Sequence, residues 1–280
     1  MLILDTHAHI YSPDETRYPP IDKPLRPPAG KGSLEDLRRE TRENAVTAAC
    51  IIQTSTFYRF DNRYICDSAK ASPDWTAGVC TLDPDDPHSP GLLQQYVQEY
   101  GIRGMRSIAA RNGRFDHSGV RALWKTALDQ GIVINALSQL ATAGQVDQLL
   151  GEFAALPVVL DHCLNPEVGP NLEATVRQVL RMSRHRNLHA KLTFLPTGSK
   201  TGYPCADMHA ACRAIIDAFG PERCIWGSDF PCELWTRRVT YAEHLKIFRE
   251  ALQLKEEALA QILGETARRL WFPNLAPESR

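Results

Sequence analysis

Two histidines one residue apart close the stretch Leu4-Asp5-Thr6-His7-Ala8-His9. Imidazole nitrogens ligate divalent metals, polarise carbonyl groups and carry protons near neutral pH. Two of them work together only if their side chains share a face. On a β-strand successive side chains alternate, so His7 and His9 point the same way, with Asp5 one step below them. On a helix they diverge by about 200° and cannot share a ligand. The apolar run Leu2-Ile3-Leu4 just before them reads as a strand, which sets the pair at a strand's carboxyl end.

Other reactive side chains close other apolar runs. His162 lies in PVVLDHC (157–163) and Asp229 in CIWGSDF (224–230). Three imidazoles and one carboxylate on a single rim suit one divalent metal, zinc before others, with a position left for water. They suit equally a metal-free site in which Asp229 takes a proton from water and the histidines polarise a carbonyl. His7, His9, His162 and Asp229 are therefore the candidate catalytic residues in both cases, and the candidate metal ligands in the first. Imidazole or metal neighbours predict that Asp229 is ionised near neutral pH. Forked guanidinium groups suit a substrate carboxylate. Arg106, at the end of IRGMRSI (102–108), is the first candidate for that role, with Arg111 and Arg114 in the loop that follows. Lys191 in LHAKLTF (188–194) adds charge, and Tyr203, like Tyr11, Tyr58 and Arg59, follows a strand end as a candidate pocket wall. Cys163 and Cys232 lie beside these positions without a base partner, which counts against a thiol nucleophile.

Such positioning needs many strand ends at one rim. Apolar runs recur at 2–7, 46–53, 76–82, 102–108, 132–138, 157–163, 188–194 and 224–230. Amphipathic segments separate most of them, at 63–71, 92–101, 120–131, 144–156, 172–185 and 206–220, with two more in the tail. Another helix is predicted to begin at Ser33, where Ser33 and Asp36 have capping-box spacing. Strands alternating with helices predict a parallel sheet, and eight such units fill a closed (β/α)₈ TIM barrel, α/β in class and a single domain over 1–280. An open doubly wound sheet would carry a glycine-rich turn after its first strand, and HAHIYSPDETRYPP is not one. The proline-rich stretch 17–32 is predicted to be a long loop over one mouth of the barrel.

The whole composition narrows the function class. The chain has 280 residues, 43% hydrophobic, with 32 basic against 33 acidic side chains and a net charge of −1. No global field recruits nucleic acid or an anionic membrane, and no apolar run reaches the ~18 residues of a membrane span. The start of the chain lacks the basic region and apolar stretch of a signal peptide. The eight cysteines are scattered, without a Cys-x-x-Cys pair, so reduced thiols and a cytoplasmic location are expected. Association with further copies of the chain is left open.

The pieces DTHAH (5–9), GIRGMR (101–106), LDH (160–162), FGPERCIWGSDFP (219–231) and GETARRLW (264–271) together resemble the amidohydrolase superfamily, in its amidohydrolase-related (amidohydrolase-2) branch. Their order is most similar to the group of 2-pyrone-4,6-dicarboxylate lactonases and sugar lactonases. The resemblance implies a hydrolase opening a lactone or related cyclic ester of a carboxylic acid, with a small organic acid as partner. It leaves metal dependence open. Arg106 and Asn135 stand where two-metal members carry a bridging lysine or glutamate and a histidine, which counts against a binuclear site and against TatD-like nucleases. The alternative within the same branch is a lyase, a metal-dependent non-oxidative decarboxylase of an aromatic or muconate-type acid. A binding barrel without turnover is disfavoured by the intact set of His7, His9, His162 and Asp229.

Overall fold

The computed structural model describes residues 1–236 and 238–276. Its strands are β1 (Leu4–His9), β2 (Ala48–Ile52), β3 (Thr76–Thr81), β4 (Gly104–Ser107), β5 (Val133–Ala136), β6 (Val158–Leu160), β7 (Leu188–Lys191) and β8 (Cys224–Ile225). They form one sheet in chain order, each parallel to the next. The ends meet just past β8, where Thr6 donates to the Trp226 carbonyl at 3.2 Å and His9 to the Phe230 carbonyl at 2.8 Å. In return the Asp229 amide donates to the His7 carbonyl at 2.8 Å. The result is the expected (β/α)₈ barrel.

Helices intervene where the apolar spacing placed them. Arg63–Ala71 agrees to the residue, and Leu34–Glu43 starts behind Ser33 in a complete capping box with Asp36. Ser89–Tyr100 and Ser118–Gln130 end on Gly101 and Gly131, both left-handed. All eight cysteines are free and buried. No helix among the described residues is long and apolar enough to cross a membrane.

Alternation along the strands sorts the core into two layers. Leu4, Val79, Val133, Val159 and Ile225 face the barrel axis and are closed off below by Trp271. Ile51, Met105, Ile134, Leu160 and Ala190 face the helices. Two residues above Val133 stands Asn135, paired in register with Arg106, and Lys191 pairs with Ile225. The interior therefore turns polar one layer above its apolar floor.

β1 departs from simple alternation. Leu4 pairs with Ala48 and faces inward, yet Ala8, an even number of residues on, packs outward beside Ile51. A register shift between Asp5 and Ala8 supplies the extra residue, which is the signature of a bulge. Asp5, next to inward-facing Leu4 and ahead of the shift, faces the helix layer, where it accepts from Ser228 Oγ at 2.6 Å and Tyr241 Oη at 3.1 Å. It does not stand beneath His7 and His9 on their face, as strict period-two reading expected.

β2 to β8 are all shorter than expected, and β6 and β8 fall furthest short. β6 ends at Leu160, because residues 162–165 all take positive φ and turn back. β8 holds only two residues, and 226–230 continue as irregular backbone bonded to β1. The 17–32 stretch is a loop beside strand ends: Ile21 donates to the Phe57 carbonyl at 2.8 Å and Leu25 to that of Thr56 at 3.0 Å.

Candidate active site

The bulge in β1 brings His7 onto the inner face with His9. Their Nε2 atoms lie 3.3 Å apart, and Asp229 Oδ1 lies 3.5 Å from the first and 3.8 Å from the second. Gly227 permits this approach: a Cβ there would fall 2.8 Å from the His7 Cβ and 2.9 Å from its amide nitrogen. Asp229 itself sits at φ 59° and is buried. Sequence reading put these three together, and they do converge.

His162 reaches the cluster by a different route. Continued alternation past Val159 would aim Asp161 inward and His162 outward. The left-handed turn, with His162 at φ 52°, swings its ring back to 4.6 Å from that of His7. Its Nε2 faces Arg106 Nη2 at 3.3 Å and its Nδ1 faces Thr193 Oγ1 at 2.6 Å. Arginine only donates, so His162 Nε2 accepts and its Nδ1–H goes to Thr193. His162 is therefore a neighbour of the His7, His9 and Asp229 group, turned away from it by Arg106.

Sequence reading missed Asp161. Its carboxylate accepts from Lys191 Nζ at 2.7 Å, from Arg106 Nε at 3.1 Å and from Asn135 Nδ2 at 3.3 Å. Burial pushes this carboxyl up, but Lys191 and Arg106 outweigh it and hold it at about 2. The signal was available, since Asp161 has the parity of Val159 within the LDH motif. Arg106 and Lys191 are both buried in the cluster, as expected. Arg111 is not: its side chain is 68% exposed and pairs with Asp83 at 2.5 Å. Tyr203 is 39% exposed on its loop, and Arg114 pairs with Asp116.

Hydrogen bonds fix where the ring protons are. Lys191 Nζ lies 3.1 Å from His7 Nδ1, and lysine offers only donors. His7 Nδ1 must accept, which leaves its proton on Nε2. At the other end His9 Nδ1 meets the Ile52 carbonyl at 3.1 Å and must donate, which leaves His9 Nε2 as acceptor. Both ends dictate the same middle bond, His7 Nε2–H to His9 Nε2. Both rings are neutral: burial and then Lys191 push His7 well down, and burial and then Arg106 bring His9 to about 3. With no imidazolium beside it, Asp229 differs from expectation. Burial raises its carboxyl to about 7, against the opposing pull of Arg106.

The ligating atoms of His7, His9 and Asp229 lie within 4.8 Å of one another, a spacing open to a metal ion. The donor roles are not. A metal needs a lone pair on His7 Nε2, and Lys191 directs the proton to that atom. As hydrogen-bonded, the set does not fit a metal.

The amidohydrolase family model matches residues 4–272. The chain belongs to this family. A curated member, the L-fucono-1,5-lactonase of Burkholderia ambifaria, is 25% identical over 239 residues, covering 84% of this chain and 80% of the relative. Among solved structures, a probable 2-pyrone-4,6-dicarboxylic acid hydrolase from Acinetobacter baumannii with bound citric acid superposes with a TM-score of 0.81 at 18% identity, covering 96% and 99% of the two chains. An amidohydrolase from Burkholderia multivorans with bound zinc gives 0.78 at 21% identity, with the same coverage. Both likenesses agree with the barrel described for this amidohydrolase.

Proposed function

We propose that this amidohydrolase opens lactones by a general-base mechanism carried by Asp229 without a metal. The observation that carries the reading is the placement of Asp229 Oδ1 3.5 and 3.8 Å from two neutral imidazoles, where burial raises its carboxyl to about 7. A base near the working pH is at its most useful, since it is both available and strong enough. As carboxylate, Asp229 takes a proton from water, and the water oxygen adds to the lactone carbonyl. Negative charge then develops on the carbonyl oxygen. Arg106 and Lys191 bring two positive charges against the one carboxylate of Asp161, and the surplus stabilises that oxyanion in a buried site. The ring C–O bond breaks, and Asp229 returns its proton to the departing alkoxide, giving a hydroxy acid.

The relative named for an L-fucono-1,5-lactone supports a sugar lactone as the small-molecule substrate. So do unpartnered polar atoms close to the cluster. Thr81 Oγ1, Asn135 Oδ1 and Trp235 Nε1 are buried without a hydrogen-bond partner among the described residues, and the Trp235 ring lies 5.7 Å from that of His9. Hydroxyl groups of a substrate satisfy such atoms, and a site so built rejects analogues that lack them. Arg106 remains the proposed contact for the carboxylate formed in the product.

The test is acid release from sugar 1,5-lactones and from dicarboxylate lactones, run beside carbon dioxide release from aromatic acids. Turnover of a sugar lactone supports the proposal. Release of carbon dioxide with no lactone hydrolysed would identify a lyase instead.

A further inference from the structure

We propose that Lys191 is the residue that keeps this site free of metal, by fixing the His7 tautomer. Its side chain is fully buried between two groups, Asp161 Oδ1 at 2.7 Å and His7 Nδ1 at 3.1 Å. Metal-bound imidazoles hand their outward N–H to a carboxylate or carbonyl, which frees the inward nitrogen to ligate. His9 obeys that rule through the Ile52 carbonyl. His7 does not, because a donor occupies the place of the acceptor. The acceptor it lacks stands close by: Asp161 Oδ1 is 3.9 Å from His7 Nδ1. Lys191 thus bridges the two groups of what would otherwise be a carboxylate–histidine–metal arrangement.

The consequence concerns the latent ligands of this chain, independently of its substrate. Removing the lysine donor lets His7 Nδ1–H turn to Asp161 and exposes the Nε2 lone pair to the space shared with His9 Nε2 and Asp229 Oδ1. Lys191→Met removes the donors while keeping most of the buried stem. Lys191→Arg keeps donors at the same place. The positive charge of Lys191 adds to the effect by repelling a divalent ion in a buried site, and Lys191→Arg preserves that as well.

The experiment measures metal binding without turnover. Purified wild type, Lys191→Met and Lys191→Arg are dialysed against chelator and titrated with Zn²⁺ by calorimetry, and with Co²⁺ by its visible absorption. The expected result is weak binding by wild type and Lys191→Arg, and at least tenfold tighter binding by Lys191→Met with a tetrahedral Co²⁺ spectrum. In parallel, ¹⁵N spectra of ring-labelled wild type should show His7 protonated on Nε2 and His9 on Nδ1. That arm needs no variant to fold. A wild type that holds one tightly bound zinc, a Lys191→Met protein that binds no better, or a His7 protonated on Nδ1 would each overturn the proposal. Loss of lactone turnover would not; unimproved binding by Lys191→Met or a His7 protonated on Nδ1 sinks this proposal alone, whereas tightly bound zinc in wild type would also remove the metal-free step from the proposed function.

Discussion

Arg106 and His162 face each other at 3.3 Å, guanidinium Nη2 to imidazole Nε2, although one stands at β4 and the other beyond β6. The same guanidinium holds Asp161 through Nε at 3.1 Å. One side chain therefore clamps Asp161 and the first residue of the left-handed turn that follows it. Arg106→Leu should strand His162 Nε2 and leave Asp161 to Lys191 and Asn135. A loss of ~2–4 kcal/mol in kcat/KM is expected. Arg106→Lys should recover only part of it, because an ammonium cannot bridge both partners. Steady-state kinetics on the true substrate check this, and unchanged rates in Arg106→Leu would return the residue to a structural role.

Asp229→Asn keeps the shape of the site and removes the proton acceptor. Turnover should fall about 10²–10⁴-fold, with substrate affinity changed far less and circular dichroism unaltered. A folded variant with near wild-type turnover would take Asp229 out of the mechanism.

The pH profile follows from the raised carboxyl. A base must be deprotonated to act, so kcat/KM should drop tenfold per unit below the Asp229 value of about 7 and level off above it. That acidic limb should be absent from the residual activity of Asp229→Asn. A rate independent of pH between 5 and 8 would contradict the assignment.

Stability has its own pH dependence, carried by buried neutral histidines. His9 and His162 are held at about 3, and His189 and His244 at about 4, burial being the first cause in each. In the unfolded chain each titrates near ~6.5. Below that pH the unfolded state binds protons that the folded state refuses, so stability is lost as pH falls. Each residue contributes a slope approaching ~1.4 kcal/mol per unit. Asp229, raised instead, titrates in the opposite sense and offsets one of them. Urea unfolding at pH 7 and pH 5 should show a clearly lower midpoint at pH 5, and equal midpoints would mean these rings are not buried neutral.

Gly227→Ala tests the closure of the barrel at its active end. The added methyl meets His7 at 2.8 Å and Thr193 Cγ2 at 3.0 Å. Displacement of His7 should cost about 1–3 kcal/mol of stability, and activity should fall with it. A fully active, equally stable variant would show that His7 has room to move.

Much of this protein is written in local pattern. The strand-and-helix alternation, the capping box of Ser33, and the interior parity of Arg106 and Lys191 depend on neighbours a few residues away, and periodicity reports them. The pairing of His7 with His9 is local too, being two residues on one strand. The motifs DTHAH, LDH and GSDF were enough to point to the family, and they hold the His7, His9 and Asp229 side chains that the fold brings together.

What they do to one another was decided elsewhere. The bulge that turns His7 inward, onto the face opposite Asp5, arises where β1 pairs with β2. His162 enters the site only because residues 162–165 coil into left-handed backbone. Arg111, a second candidate beside Arg106 in sequence, instead pairs with Asp83 on the surface. The protonation of the site is the least local property of all. Lys191, 184 residues from His7, chooses which of its nitrogens bears the proton, and burial of the whole cluster raises Asp229 while it lowers the histidines. Residue types and their spacing are properties of the chain, but desolvation and donor direction belong to an interior that exists only once eight strands have closed around it.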